Sequence, residues 1–189
     1  MPEIQRCPWA KDALERAYHD NEWGVPEHDD QKLFELLILE NMQAGLSWNL
    51  ILHRRDAMRR AFDGFDVHAV AQYDDAKKAA LLQDASIIRN RAKINALVGN
   101  ARAFLAVQAE AGSFDKYIWS FVRGVPIHNH WSATGEIPVS TPLSDAISKD
   151  LKKRGFRFVG SVICYSYMQA IGMVCDHLTS CHFHPDNLG

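Results

Sequence analysis

DQKLFELLILENMQ, residues 30–43, is the stretch on which the reading of this chain turns. Leu33, Leu37 and Glu40 fall at i, i+4 and i+7, one stripe of an amphipathic α-helix, and that stripe should face a core. Glu40 is then a carboxylate on the apolar side. Burying it ionised costs roughly several kcal/mol unless it is paired or hydrogen-bonded. Two readings follow. Glu40 is exposed near the helix end or satisfied by a backbone amide, or it waits for a ligand.

Helix signals continue outward from this segment, and strand signals are scarce. Ser47 reads as the N-cap of a helix from Trp48 to Phe62, Asp66 of a short one to Tyr73, and Asp74 or Asp75 of one to about Asp84. The apolar period from Ile88 to about Glu110, with Ile94, Leu97, Val98, Ala101 and Leu105, predicts a long helix closed by Gly112. Ser113 opens FDKYIWSFV. From Gly124 to Pro142 the pattern fails, with Pro126 and Pro138 among polar residues, which predicts one long loop. Helices are expected again from Ser144 to Arg154 and from Gly160 to Val174, where Ile163, Tyr167, Ala170 and Val174 form an inward stripe. The fold class is all-α, with about eight or more helices in one domain over residues 1–189 that has room for two lobes.

Composition excludes several classes of function. No run approaches the roughly 20 apolar residues of a membrane span, and MPEIQRCPWAKD lacks the apolar stretch of a secretory signal. A cytoplasmic protein is the expectation, and its four cysteines, Cys7, Cys164, Cys175 and Cys181, read as thiols or metal ligands. A net charge of -2 argues against bulk electrostatic binding of nucleic acid. Basic clusters remain at Arg54, Arg55, Arg59 and Arg60, at Arg89, Arg91 and Lys93, and at Lys152, Lys153, Arg154 and Arg157. Each reads as a solvated face unless they share a surface.

Three constellations carry possible chemistry. RGFRFVG, residues 154–160, places Gly155 at the end of one helix and Gly160 at the start of the next. Amides at such a corner can meet a phosphate, reinforced by Lys152 and Lys153, although a plain glycine-punctuated connection has the same pattern. Cys7 and His19 lie near one end of the chain, His177 and Cys181 near the other, the latter pair on one face if the last helix continues that far. Two Cys and two His are the ligand set of a closed tetrahedral zinc site. Buried thiols and surface histidines are the other reading, with His182, His184 and Cys175 as rival ligands and Cys164 as a small core residue. Finally, Trp9, Tyr18, Trp23, Phe34 and Trp48 crowd the first quarter. With Glu40, Tyr18 and Trp48 offer a flat face and polar edge groups, and a carboxylate accepts only from donors, which favours an amine-bearing or cationic base such as adenine.

YHDNEWGVP at residues 18–26, QAGLSW at 43–48, KKRGFRFVG at 152–160 and ICYSYMQA at 163–170 together resemble the family of bacterial DNA-3-methyladenine glycosylases of type I, over essentially the whole chain. The resemblance implies a helical member of the helix-hairpin-helix DNA glycosylase superfamily, excising 3-methyladenine from alkylated DNA in base-excision repair. It implies one structural zinc per chain on Cys7, His19, His177 and Cys181, and a damaged base held by Trp48, Tyr18 and Glu40, with Glu40 also the catalytic candidate. It implies a hairpin, Gly155 to Gly160, whose amides bind a DNA phosphate beside Lys152 and Lys153. The expected partner is alkylated double-stranded DNA, bound by a monomer with no membrane and no organic cofactor. Two features depart from the superfamily. The hairpin is not a compact Gly-x-Gly turn, and Asp176 stands too near it to match the usual catalytic aspartate, reading instead as a structural residue or a support for the metal ligand beside it. No lysine is placed as an obvious Schiff-base nucleophile, which suits cleavage of the base without the strand. A zinc-stabilised DNA-binding module without catalysis is the rival reading. A zinc hydrolase is a third, opposed by the four protein ligands.

Overall fold

A computed structural model describes residues 4–188; residues 1–3 and 189, the outermost positions of the expected 1–189 domain, lie outside it. Among the described residues there are nine α-helices: α1 (Ala13–Asn21), α2 (Asp30–Gln43), α3 (Trp48–Ala61), α4 (Val67–Ala71), α5 (Asp75–Gln83), α6 (Arg91–Ala111), α7 (Phe114–Ser120), α8 (Pro142–Lys153) and α9 (Ser161–Ala170). Local chemistry sets their ends. Ser47, Asp66, Asp74, Asn90 and Ser113 each accept a hydrogen bond from an amide of the helix that follows. Gly112 closes α6 at φ 87°, the left-handed conformation a glycine enters without steric cost. Among the described residues, no helix is long and apolar enough to cross a membrane.

α2 is the central element, packed by α3, α6, α7 and α9. It is not amphipathic as the stripe predicted: every residue from Leu33 to Met42 is buried. A helix buried on all sides needs neighbours on all sides, and this one has them. Its C-terminal carbonyls are also claimed from outside, since Lys93 of α6 donates from Nζ to Met42 O and Ala44 O, both at 2.7 Å. Lys93 is therefore a buried helix cap and no part of a basic surface.

The expected loop from Gly124 to Pro142 contains two short elements. Ile127–His128 (β1) pairs in parallel with Val174–Cys175 (β2), Ile127 opposite Val174, and Thr134–Glu136 forms a 3-10 turn. α8 begins at Pro142, two residues before the expected start, with Thr141 as its N-cap. The last helix ends at Ala170, so Val174 lies in β2, Ile163 is half-buried, and the buried face of α9 is Cys164, Tyr165, Tyr167, Met168 and Ala170. Gly172 explains the early stop. At φ 69° it lies so close to the Val25 backbone that a Cβ would collide with it, while Gly24 N and Glu27 N donate to Gln169 O and Ile171 O. This close approach brings the Trp23–Pro26 segment onto the end of α9.

Candidate active site

Tyr18 from α1, Glu40 from α2 and Trp48 at the start of α3 face one cavity of about 460 Å³. Trp9 and Trp23 line it too, as do Val162, Tyr165 and Gln169 of α9 and the segment Ile137–Val139. The rings of Tyr18 and Trp48 are 5.1 Å apart and inclined at 51°, and Trp9 stands edge-on to Trp23 at 5.1 Å. Such walls suit a flat ligand.

The polar atoms are more telling than the rings. Among the described residues, three buried side-chain nitrogen or oxygen atoms have no hydrogen-bond partner: Tyr18 Oη, Glu40 Oε2 and Trp48 Nε1. All belong to this cavity. Each such atom costs about 1–3 kcal/mol, so three in one place mark groups set to meet something else. Glu40 is buried, and burial pushes its pKa up to about 8. Burial also drives the Tyr18 phenol well above its ordinary value, with the Glu40 charge adding to it. The other carboxylate lining the cavity, Glu15, is already used: it accepts from Lys11 N at 2.9 Å and completes the capping box of α1.

Cys7, His19, His177 and Cys181 form a second buried group, with one ligand atom from each lying within 4.8 Å of all the others. Cys181 Sγ is 3.5 Å from both His19 Nε2 and His177 Nδ1, and Cys7 Sγ is 3.8 Å from His177 Nδ1. The last helix does not continue as far as His177 and Cys181; an irregular turn brings the two together instead. Cys181 holds the Cys7 thiol high, with burial adding to it, while Cys181 itself is pulled low by Cys7 and then by His177 and His19. The far ring nitrogens are engaged: His19 Nδ1 meets Asp20 Oδ1 at 2.8 Å, and His177 Nε2 meets Trp23 O at 3.1 Å. That arrangement orients imidazoles toward a metal ion, which this group could hold. None of the rivals is one of the four: Cys175 is buried beside the group, His184 and His182 lie outside it, and Cys164 is a core residue.

A profile of the methyladenine glycosylase family matches residues 9–184. The chain belongs to that family. It is 50% identical over 185 residues to DNA-3-methyladenine glycosylase 1 of Escherichia coli K12, covering 97% of this chain and 99% of that one. A crystal structure of 3-methyladenine DNA glycosylase I superposes with a TM-score of 0.93 at 52% identity, over 96% of this chain and all of the other. The 3-methyladenine DNA glycosylase I of Staphylococcus aureus, solved to explain its recognition of 3-methyladenine, matches with a TM-score of 0.92 at 35% identity, over 95% and 96% of the two chains.

In this methyladenine glycosylase the turn between α8 and α9 is built by residues that spacing did not reveal. Asn41, next to Glu40 on α2, donates to Phe158 O at 3.0 Å, and Asn100 of α6 both donates to Arg157 O and accepts from Arg157 N. Asn100 also donates to Asn41 Oδ1 at 2.6 Å. α2 thus fixes the cavity with one residue and the turn with the next. α9 is unlike the other helices: α1 to α8 each have a side-chain cap, and α9, whose N-cap is Gly160, has none. Exposed Lys152 and Arg157, both of the last basic cluster, line a groove beside the start of α6, whereas Arg55 and Arg59 are taken up by Glu22 and Glu35. Lys153 is exposed but not among the groove's lining residues.

Asp176 is fully buried and accepts from Asn129 (2.7 Å), Trp131 (2.8 Å), Tyr165 (2.7 Å) and Gln169 (2.7 Å). It braces the cavity wall and forms no hydrogen bond to the His177 ring, whose nitrogens meet Trp23 O and the two thiols, so the geometry favours its structural reading. Tyr165 and Gln169 were missed as cavity residues; their i, i+4 spacing within ICYSYMQA was the available signal. No lysine lines the cavity.

Proposed function

We propose that this chain is a monofunctional DNA glycosylase that flips 3-methyladenine out of alkylated double-stranded DNA and hydrolyses its glycosidic bond. The reading is carried by the three unpartnered polar atoms on Tyr18, Glu40 and Trp48 in one aromatic cavity. Extrusion costs a few kcal/mol, and stacking of the base on Trp48 returns about 1–3 kcal/mol. The N3-methylated base in DNA is a cation bearing an exocyclic amine. Glu40, mostly protonated before the base arrives at neutral pH, gives up its proton as the cation enters and accepts from the amine. Tyr18 hydrogen-bonds the edge of the base.

Methylation has already weakened the bond, so preorganised charge carries most of the rate. The bonding pair leaves with the base, which departs neutral. Glu40 stabilises the positive charge shared by base and sugar until water adds to the sugar carbon. Its role is recognition first and charge stabilisation second. The DNA backbone is held by the uncapped amides of α9 at the Gly155–Gly160 hairpin, a helix-hairpin-helix, with Lys152 and Lys153 beside it.

Cys7, His19, His177 and Cys181 would hold one structural zinc. With zinc bond lengths and a tetrahedral angle, S···N separations come to about 3.6 Å, and the spacings of 3.5 to 3.8 Å fit. Four protein ligands leave no position for reactive water, so the ion would supply a clip between the ends of one domain acting as a monomer.

The test is release of free 3-methyladenine from methylated DNA by the wild type beside Glu40→Gln and Glu40→Ala. Both variants should fold and lose a factor of about ten or more in excision or base affinity. Unchanged turnover in both would overturn the role of Glu40. No release at all by folded, metal-loaded wild type would leave a DNA-binding module without catalysis.

A further inference from the structure

Outside the cavity and the Cys/His group, His130, His184 and Asp186 bring three donor atoms within 4.8 Å of one another. The geometry points to a second metal site, open to solvent, that takes a divalent transition ion such as zinc or cobalt on two imidazoles and one carboxylate. His130 Nε2 lies 3.2 Å from Asp186 Oδ2, and His184 Nδ1 lies 3.7 Å from the same oxygen. Bonds of about 2.0–2.2 Å to a shared ion separate neighbouring donors by about 3.3–3.5 Å at tetrahedral angles, so small side-chain adjustments suffice.

His184 makes this more than a surface ion pair. It is buried, and its Nε2 sits 3.1 Å from Asn129 O, an acceptor only, which places the ring proton on Nε2 and leaves the Nδ1 lone pair facing the other two donors. Nδ1 otherwise accepts from Asp186 N at 3.2 Å, a long contact that an ion would displace. Asn129 is itself fixed, through its amide to Cys175 O and its side chain to Asp176. One buried, anchored ligand is thus combined with two solvent-facing ones, the side chains of His130 and Asp186 being 59% and 66% exposed. Two neutral imidazoles and a single carboxylate suit zinc, cobalt or nickel better than calcium or magnesium, and three protein ligands leave positions for water. A bound ion would tie the C-terminal segment to the stretch that leads from β1 to the cavity wall at Ile137–Val139.

Cobalt titrated into the zinc-loaded full chain tests this without any measure of activity. The wild type should take up one added equivalent with weak visible absorption and no thiolate-to-cobalt charge transfer, because no sulfur is among the donors. His130→Ala and Asp186→Asn, both at exposed positions that leave the fold intact, should each weaken that uptake at least about tenfold. Absence of an added equivalent, uptake with thiolate bands alone, or uptake undiminished in both variants would overturn the site. None of these results bears on the glycosylase reading, which fails or stands on release of the base.

Discussion

Glu35 and Glu40 leave the same helix and are almost equally hidden from water, at 9% and 3% exposure, yet their surroundings are opposite. Glu35 receives Arg55 Nε and Arg59 Nε, both at 2.7 Å, and Arg55 turns its other nitrogens to Glu22. Glu40 has an oxygen with no partner, and burial lifts its pKa to about 8. A buried charge whose counter-charge lies in the chain helps to specify the fold. One whose partner is missing implies a ligand. The same division separates the Cys/His group, closed on itself, from the aromatic cavity.

The contrast can be broken first on its closed side. Cys181→Ala should lower unfolding stability by about 5 kcal/mol or more in metal-loaded protein, because metal binding free energy is folding free energy. Loss of chemistry in a variant of normal stability would instead make the metal catalytic. Arg55→Ala should cost less, roughly 2 kcal/mol by denaturant titration, since Arg59 still reaches Glu35. Excision per folded molecule should stay within about threefold.

The open side gives an effect of opposite sense, spread over pH. Burial lifts the pKa of Glu40 to about 8 in the folded chain from its ordinary 4.5, so between those values the folded protein holds a proton that the unfolded chain releases. That contribution to stability is fully present below about pH 4.5 and is lost as pH rises to about 8. The slope is roughly 1 kcal/mol per pH unit. Glu40→Gln should remove it and be more stable than wild type at pH 8 while excising less. Asp12, held down at about 2 first by its bond from Glu15 N and then by His53, acts below this window. Parallel stability curves for the two proteins across pH 5 to 8 would contradict the burial of an unpaired Glu40.

Much of this was legible because much of it is local. Ser47, Asp66, Asp74 and Ser113 cap amides two or three residues ahead, and Gly112 turns the chain within its own residue, so type and spacing suffice to find them. The all-round burial of α2 depends on four other helices, three of them distant in sequence, and one stripe of leucines cannot report it. The β1–β2 pair is two residues long and joins segments far apart in sequence, which leaves no period to detect. Asn41 and Asn100 hold the hairpin through bonds to its backbone, and an asparagine on a helix gives no sign of such a partner. His177 and Cys181 converge through a turn, so the helical spacing that suggested their pairing was not its cause. That Tyr18, Glu40 and Trp48 could share a base pocket came from their chemistry and then from resemblance, not from their spacing. Their shared lack of partners is visible only in three dimensions.

The central claim is that Glu40 is a buried carboxyl waiting for a donor. Carbon-13 NMR of its carboxyl group across pH, with and without 3-methyladenine, tests this most directly. A titration midpoint near 8 in the free protein, falling when the base binds, is the predicted result. A midpoint in the ordinary carboxylate range in the free protein, unmoved by the base, would contradict it.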